Sequence, residues 1–193
     1  MKKQLILILF ASFFVLQTYS QEFSVDIPNA SSIYAAQTQT SWCWAACNQM
    51  LLSAKDIDES QENQSTKVFG TVVNRGAGNN YELAKVGLGG TYQNNSGSTV
   101  RIVPYVSYLY QRNANDPIVI INHLNDGIPL VMATAQHGRV CVGVDYIQNG
   151  SHYQITKLRL LDPNPSGSSD PIEYTMQQFL QEGLIGWMTY NVR

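Results

Sequence analysis

Histidine and charge are both scarce in this chain. There are 3 histidines in 193 residues, and Asp, Glu, Lys and Arg together make up 13%. The 12 basic and 14 acidic side chains nearly balance, and no basic block occurs. That weighs against nucleic acid or an anionic membrane as the main partner. A run of membrane-spanning length is missing too. The longest apolar stretch, Leu5 to Leu16, is about a dozen residues, whereas a spanning helix takes about 20. Internal repeats and a linker between two domains are also absent. Cysteine is limited to Cys43, Cys47 and Cys141, an odd number that leaves one thiol without an intramolecular partner even if the other two pair.

Residues 1–20 have the layout of a secretory signal. Lys2 and Lys3 precede the apolar run, and the small Ser20 stands before Gln21 as a cleavage position. The expected product is an exported chain, periplasmic or extracellular, with no membrane association after cleavage. Residues 21–193 then form one domain, long enough to bury about 70% of the unfolded surface.

Residues 21–40 read as extended and loop-like around Pro28. Ser41 is the expected N-cap of a helix over residues 42–54. Cys43, Ala46, Cys47, Met50 and Leu51 recur at helical spacing, as one buried stripe. Residues 56–66 hold a short helix or loop. Glycines and Asn-Asn pairs break residues 68–97 into short helices and loops, and residues 99–109 read as either strand or helix. Asp116-Pro117 opens a helix that stops at Asp126-Gly127. Strands follow over residues 128–135, 139–147 and 154–161, with Asn149-Gly150-Ser151 as the hairpin turn between the last two. A short helix at residues 176–182 and a strand at residues 187–192 close the chain. Helices first and an antiparallel sheet second imply an α+β fold.

The segment from Gln37 to Cys47, QTQTSWCWAAC, has the most chemical content. A cysteine at a helix start is exposed to unpaired N–H groups and the positive end of the helix dipole, which favour the thiolate, the nucleophilic form. A nucleophile needs a base, and His137 lies at a strand entrance in AQHGRVCVG. Asp162, ending the next strand, can accept the other ring N–H and fix the tautomer. Asn164 is the substitute orienter, since an Asp before proline is often a turn residue. His123 and His152 read as solvated, and Trp42 and Trp44 as core or cleft wall.

Gln-x5-Cys-Trp-Ala followed much later by His-x5-Gly resembles the papain-like cysteine peptidases. The Cys-Trp-Ala-Ala-Cys form, the Asp-Pro strand end and the compact length are closest to two bacterial branches, the avirulence-effector proteases and the double-glycine leader peptidases fused to exporters. The resemblance implies a helix carrying the Cys packed on a sheet carrying the His and Asp. It makes Cys43 the nucleophile, His137 the base, Asp162 the orienting residue and Gln37 the oxyanion-hole donor, with Gln39 the less favoured competitor. Gly143 matches the glycine that follows the family's His-bearing strand. A peptide or protein is the implied substrate, with no cofactor and no metal.

The chain departs from papain in lacking its Cys-Gly-Ser-Cys-Trp form and in having Asp at the orienting position. About sixteen residues separate Gln21 from Gln37, too few for a papain-type inhibitory prodomain, so a separate protein inhibitor is one way its host would restrain it. Cys47 and Cys141 are expected to lie behind the catalytic pair, as buried free thiols or, alternatively, as a disulfide. Cys-x3-Cys plus His lacks paired-knuckle zinc spacing. Two other outcomes share the fold: transamidation or cell-wall amide hydrolysis, and a binding module without turnover.

Overall fold

The computed structural model describes residues 21–76, 89–108, 116–134 and 136–192. The signal-like segment, residues 77–88 of the glycine-rich stretch, Leu109 at the end of the segment read as strand or helix, and Ala135 at the end of an expected strand lie outside the described residues.

Strand β1 (Gln21–Asp26) is followed by a 3-10 turn at Ala30–Ile33 and by helices α1 (Cys43–Ser53) and α2 (Gln61–Phe69). Strands β2 (Gly90–Gln93) and β3 (Thr99–Tyr108) lead to helix α3 (Asp116–Asn125). Next come β4 (Leu130–Thr134), β5 (Gly138–Asn149), β6 (His152–Leu161) and β7 (Ile172–Thr175). Helix α4 (Met176–Gln181) and strand β8 (Leu184–Val192) end the described chain. The strands form one antiparallel sheet in the order β2-β3-β8-β4-β5-β6-β7. β1 pairs with the far half of β5, Gly143 to Gln148, where the short β4 no longer reaches.

The α+β expectation holds, but the division into helices first and sheet second does not. Residues 21–26, read as loop-like, form a strand, because Phe23, Val25 and Ile27 alternate with polar residues at period 2. Residues 99–108 resolve as strand, and residues 90–93 pair with them.

Alternate residues of the sheet face two cores. Val131, Val140, Val142, Leu161, Met188 and Tyr190 pack with Met50, Leu51 and Leu52 of α1. Leu130, Met132, Cys141, Leu160 and Trp187 pack instead with Ile120, Ile121 and Leu124 of α3 and Phe179 of α4. Helix α1 is buried on almost every side rather than along one stripe, because Trp42, Trp44 and Ala45 meet Val68 and Phe69 on the flank away from the sheet. Met50, Leu51 and Leu52 are each 0–1% exposed, and burial stabilises by about 1.5–3 kcal/mol per such side chain. The helix carrying Cys43 is therefore a fixed support.

The two buried cysteines take opposite faces. Cys47 lies in the α1 core and Cys141 in the α3/α4 core, both as free thiols. Their expected meeting behind the catalytic pair does not occur, and the alternative disulfide goes with it. His137 precedes β5 rather than belonging to it, so the face of Cys141 does not follow from that of His137, and Cys141 points to the side of the sheet away from α1.

Candidate active site

Cys43 is the first residue of α1. The N-cap is Trp42 rather than Ser41, and no side chain caps it. Instead, the Ser41 N–H donates to Asn74 Oδ1 at 2.9 Å, and the Trp44 N–H is turned toward the Cys43 sulfur. An uncapped first turn thus leaves a donor for the thiolate. Both indoles act as wall fasteners: Trp42 Nε1 donates to Val73 O at 2.8 Å and Trp44 Nε1 to Arg75 O at 2.9 Å.

His137 stands immediately before β5, opposite the N-terminus of α1. Its backbone is clamped by Thr134, whose N–H and hydroxyl donate to His137 O at 2.8 and 3.1 Å while Thr134 Oγ1 accepts from His137 N. The ring joins two partners. Nε2 is 2.7 Å from Asp162 Oδ1, which leaves Nδ1 as the ring nitrogen for the hydrogen bond with the Cys43 thiol. Asp162 follows β6, and the pairing of Val140 with Leu161 carries it to the same end of the sheet as His137.

Asp162 is fully engaged. Oδ1 also accepts from Asn164 N at 2.9 Å, and Oδ2 accepts from Arg139 Nε at 2.9 Å. Asn164, the substitute orienter, is a turn residue whose side chain accepts from Ser166. His152 is exposed, as expected. His123 is not solvated. It is half-buried, with Nδ1 2.8 Å from Val119 O and its ring edge-on to Trp187.

The electrostatics follow from these contacts. Burial raises the Cys43 thiol, but hydrogen bonds from His137 and from the backbone N–H groups of Gly138 and Trp44 outweigh it and hold its pKa below the ordinary value. The Asp162 hydrogen bond, then that of Cys43, overcome desolvation and raise His137 to about 9. Burial acts upward on Asp162, yet His137, the Asn164 N–H and Arg139 hold it well below the usual carboxylate range. Burial pushes Cys47 far up and Cys141 to about 12. Of the three thiols, Cys43 alone is disposed to ionise.

These groups border a cleft of about 330 Å³, whose lining includes Gln37, Cys43, Trp44, Thr134, His137 and Asn164. Gln37 lies on its wall, while Gln39 is exposed and outside it. The Gln37 side-chain amide donates both hydrogens to its own loop, to Gln39 O at 2.9 Å and Thr40 O at 3.0 Å. Among the described residues, no cluster of three His, Cys, Asp or Glu side chains is set to hold a metal ion.

Thr134, Arg139 and Gln61 belong to the surroundings of the site and were not anticipated. Gln61, 3% exposed on α2, accepts from Thr38 N and Oγ1 and donates to Ala36 O, gripping the loop on both sides of Gln37. Once the β5–β6 register is known, residue 139 falls opposite residue 162.

No protein-family model matches the chain, and no curated protein matches it. Among solved structures it is similar to the peptidase domain of Streptococcus ComA, a bi-functional ABC transporter involved in a quorum-sensing pathway. That match has 14% identity and a TM-score of 0.50, over 82% of this chain and 95% of that one. It is also similar to UfSP from C. elegans, at 10% identity and a TM-score of 0.49, over 94% of this chain and 36% of that one. The fold is that of the papain-like cysteine peptidases.

Proposed function

We propose that the chain is an exported cysteine peptidase that hydrolyses peptide bonds through a thioester acyl-enzyme. The observation that carries this reading is the His137 ring, hydrogen-bonded on one side to Asp162 at 2.7 Å and on the other to the Cys43 thiol, at the edge of an open cleft. The fold shared with a peptidase domain supports it.

The Cys43 thiolate attacks the scissile carbonyl carbon, and the carbonyl π pair moves onto oxygen. The Cys43 backbone N–H and Gln37 Nε2 stabilise that oxyanion, Gln37 by exchanging a loop carbonyl for the substrate oxygen. As the tetrahedral species collapses, the C–N bond breaks and the His137 imidazolium protonates the leaving amine. Water then gives a proton to neutral His137 and attacks the thioester, releasing the carboxylic acid and restoring the ion pair. Asp162 keeps the ring in one tautomer and supports its charged form throughout. The substrate is a peptide or protein segment laid along the cleft. The lysine-flanked apolar segment at residues 5–16 supports export.

The test uses residues 21–193 at pH 6, with iodoacetamide labelling and casein cleavage followed together. The expected result is rapid labelling of Cys43, and casein cleavage that Cys43→Ala abolishes. Labelling no faster than that of the unfolded chain, with cleavage unchanged in Cys43→Ala, overturns the reading.

A further inference from the structure

Beyond the three residues in line, a second row of charge runs from Asp162 through Arg139 to the exposed Glu182. Arg139 Nε donates to Asp162 Oδ2 at 2.9 Å, and its Nη1 donates to Glu182 Oε2 at 2.6 Å. Its guanidinium lies over the Tyr174 ring, 5.2 Å from the centroid, and 5.9 Å from that of Phe179. The Arg139 and Asp162 side chains are only 11% and 13% exposed, so little water competes for this bond. Phe179 is completely buried, and α4, which carries it, is fixed by a Thr175–Gln178 capping box. Arg139 is thus held on its far side by β7, α4 and Glu182, while its near side holds one oxygen of Asp162.

Asp162 needs such a hold. A carboxylate accepting only at Oδ1 remains free to turn about its side-chain torsions. With Oδ1 fixed by His137 and Asn164 N and Oδ2 by Arg139, one rotamer satisfies all three donors. The planar guanidinium suits this role because separate N–H groups serve the two carboxylates while its face stacks on the rings.

We propose that Arg139 is a positioning residue for the peptidase site, locking the Asp162 carboxylate against His137 and coupling the site to the β7–α4 segment. This rests on the peptidase reading. It also gives an electrostatic paradox that makes the role testable. A positive charge beside Asp162 weakens, through space, the support that Asp162 gives to the imidazolium. If Arg139 acted through charge alone, removing it would stabilise the imidazolium. If it acts by position, removing it lets Asp162 turn away and destabilises the imidazolium. The two roles have opposite signs. Of the other titratable groups that sense Asp162, Tyr34 and Cys47 are both pushed up by burial and stay neutral through this range, and Glu182 caps the outer end of the row.

The experiment follows Cys43 alkylation by iodoacetate against pH in residues 21–193. This anionic reagent reacts with the thiolate and slows as the imidazolium is lost. Wild type, Arg139→Gln, Arg139→Lys, Asp162→Asn and the Arg139→Gln/Asp162→Asn double variant are compared, each with a thermal melt. Positioning predicts an alkaline limb lowered by about one pH unit in Arg139→Gln, in the same direction as Asp162→Asn. The double variant is then no worse than Asp162→Asn alone. Arg139→Lys, which retains the charge but not the fork, shifts the limb the same way and decides the matter if Arg139→Gln does not fold. A limb unmoved or raised in Arg139→Gln, or full rescue by Arg139→Lys, overturns the proposal. A wild-type profile without a thiolate–imidazolium plateau overturns the peptidase reading itself.

Discussion

The backbone N–H of Gln37 donates to the carbonyl of Pro163 at 2.7 Å, joining the loop before α1 to the turn after β6. The residue proposed to hold the oxyanion is therefore fastened by one main-chain bond to the residue that follows Asp162, the proposed orienter of the base. Gln61 secures the same loop through Thr38 and Ala36, and its Nε2 also reaches Gln49 Oε1 at 2.9 Å. Replacing Gln61 by Met retains approximate volume but leaves the Thr38 N–H and the Ala36 carbonyl without these partners. Lost stability of about 1–3 kcal/mol is expected, measured by urea denaturation. Casein turnover falls with it at temperatures where the variant is still folded. A stable, fully active Gln61→Met variant removes Gln61 from the support of this loop.

Gln37 itself makes a sharper prediction. As an oxyanion donor it contributes mainly after the carbonyl is attacked, so Gln37→Ala should lower kcat by about 10²–10³-fold and change KM little. As a loop brace through Gln39 and Thr40 alone, it would alter stability more than kcat. Steady-state kinetics beside a thermal melt separate the two. A kcat within about threefold of wild type excludes the oxyanion role.

Local signals in the sequence reached α1 and the β5–β6 hairpin, because each rests on spacing within a short segment, whereas the family resemblance is what puts forward Cys43, His137 and Asp162, which lie side by side only through the fold. Gly150, with a φ of +60°, occupies the turn that Asn149-Gly150-Ser151 implied. What stayed hidden depends on long-range register. β1 carries Glu, Ser and Asp on its exposed side and gains strand character only beside β5. Arg139 gains a part in the site only once the β5–β6 register sets it across from Asp162. Ser41 satisfied the composition rule for an N-cap, yet its N–H is taken by Asn74 and the helix begins at Cys43. β5 runs through Gly143 to Asn149, two residues past the strand expected over residues 139–147.

The three thiols differ enough to be told apart chemically. Cys43 is partly exposed and lowered, whereas Cys47 and Cys141 are fully buried and raised. Mapping iodoacetamide adducts by mass spectrometry on the native chain at pH 6 should find Cys43 alone. In denaturant all three should label. Native labelling of Cys47 would mean that α1 leaves the sheet far more readily than its burial implies.

The pH profile of peptide cleavage follows from two opposed shifts. The Cys43 thiol is lowered from its ordinary value and His137 is raised to about 9, so the ion pair exists between these two limits. Below the acid limit Cys43 is protonated and the nucleophile is lost. Above about 9 His137 is neutral and cannot protonate the leaving amine. Asp162, held well below the usual carboxylate range, stays ionised across the whole window, so the acid limb reports Cys43. In Asp162→Asn the imidazolium loses its largest support and the alkaline limb must move down. The accompanying fall in kcat should be about 10²–10⁴-fold. An alkaline limb unchanged in that variant would detach Asp162 from the base.

Gly143 gives a prediction about the fold at a distance from the chemistry. It sits where the β5–β6 register shifts, paired with Asp26 of β1 on one side and Arg159 of β6 on the other. Arg159 reaches across to Asp26 and also donates to Asp145 Oδ1 and Ser24 Oγ, each at 2.8 Å. A methyl group on Gly143 would collide with the Asp26 carboxylate and approach Arg159 Nε to 2.7 Å. Gly143→Ala must therefore displace the ion pair that holds β1 to the sheet, at a cost of about 1–3 kcal/mol. His137 is six residues away along the chain, roughly 20 Å in extended conformation. Cys43 alkylation at pH 6 should accordingly keep its wild-type rate below the melting temperature. A lowered melt with unchanged alkylation assigns Gly143 to the attachment of β1; an unchanged melt would mean that Asp26 and Arg159 yield to the methyl group without loss.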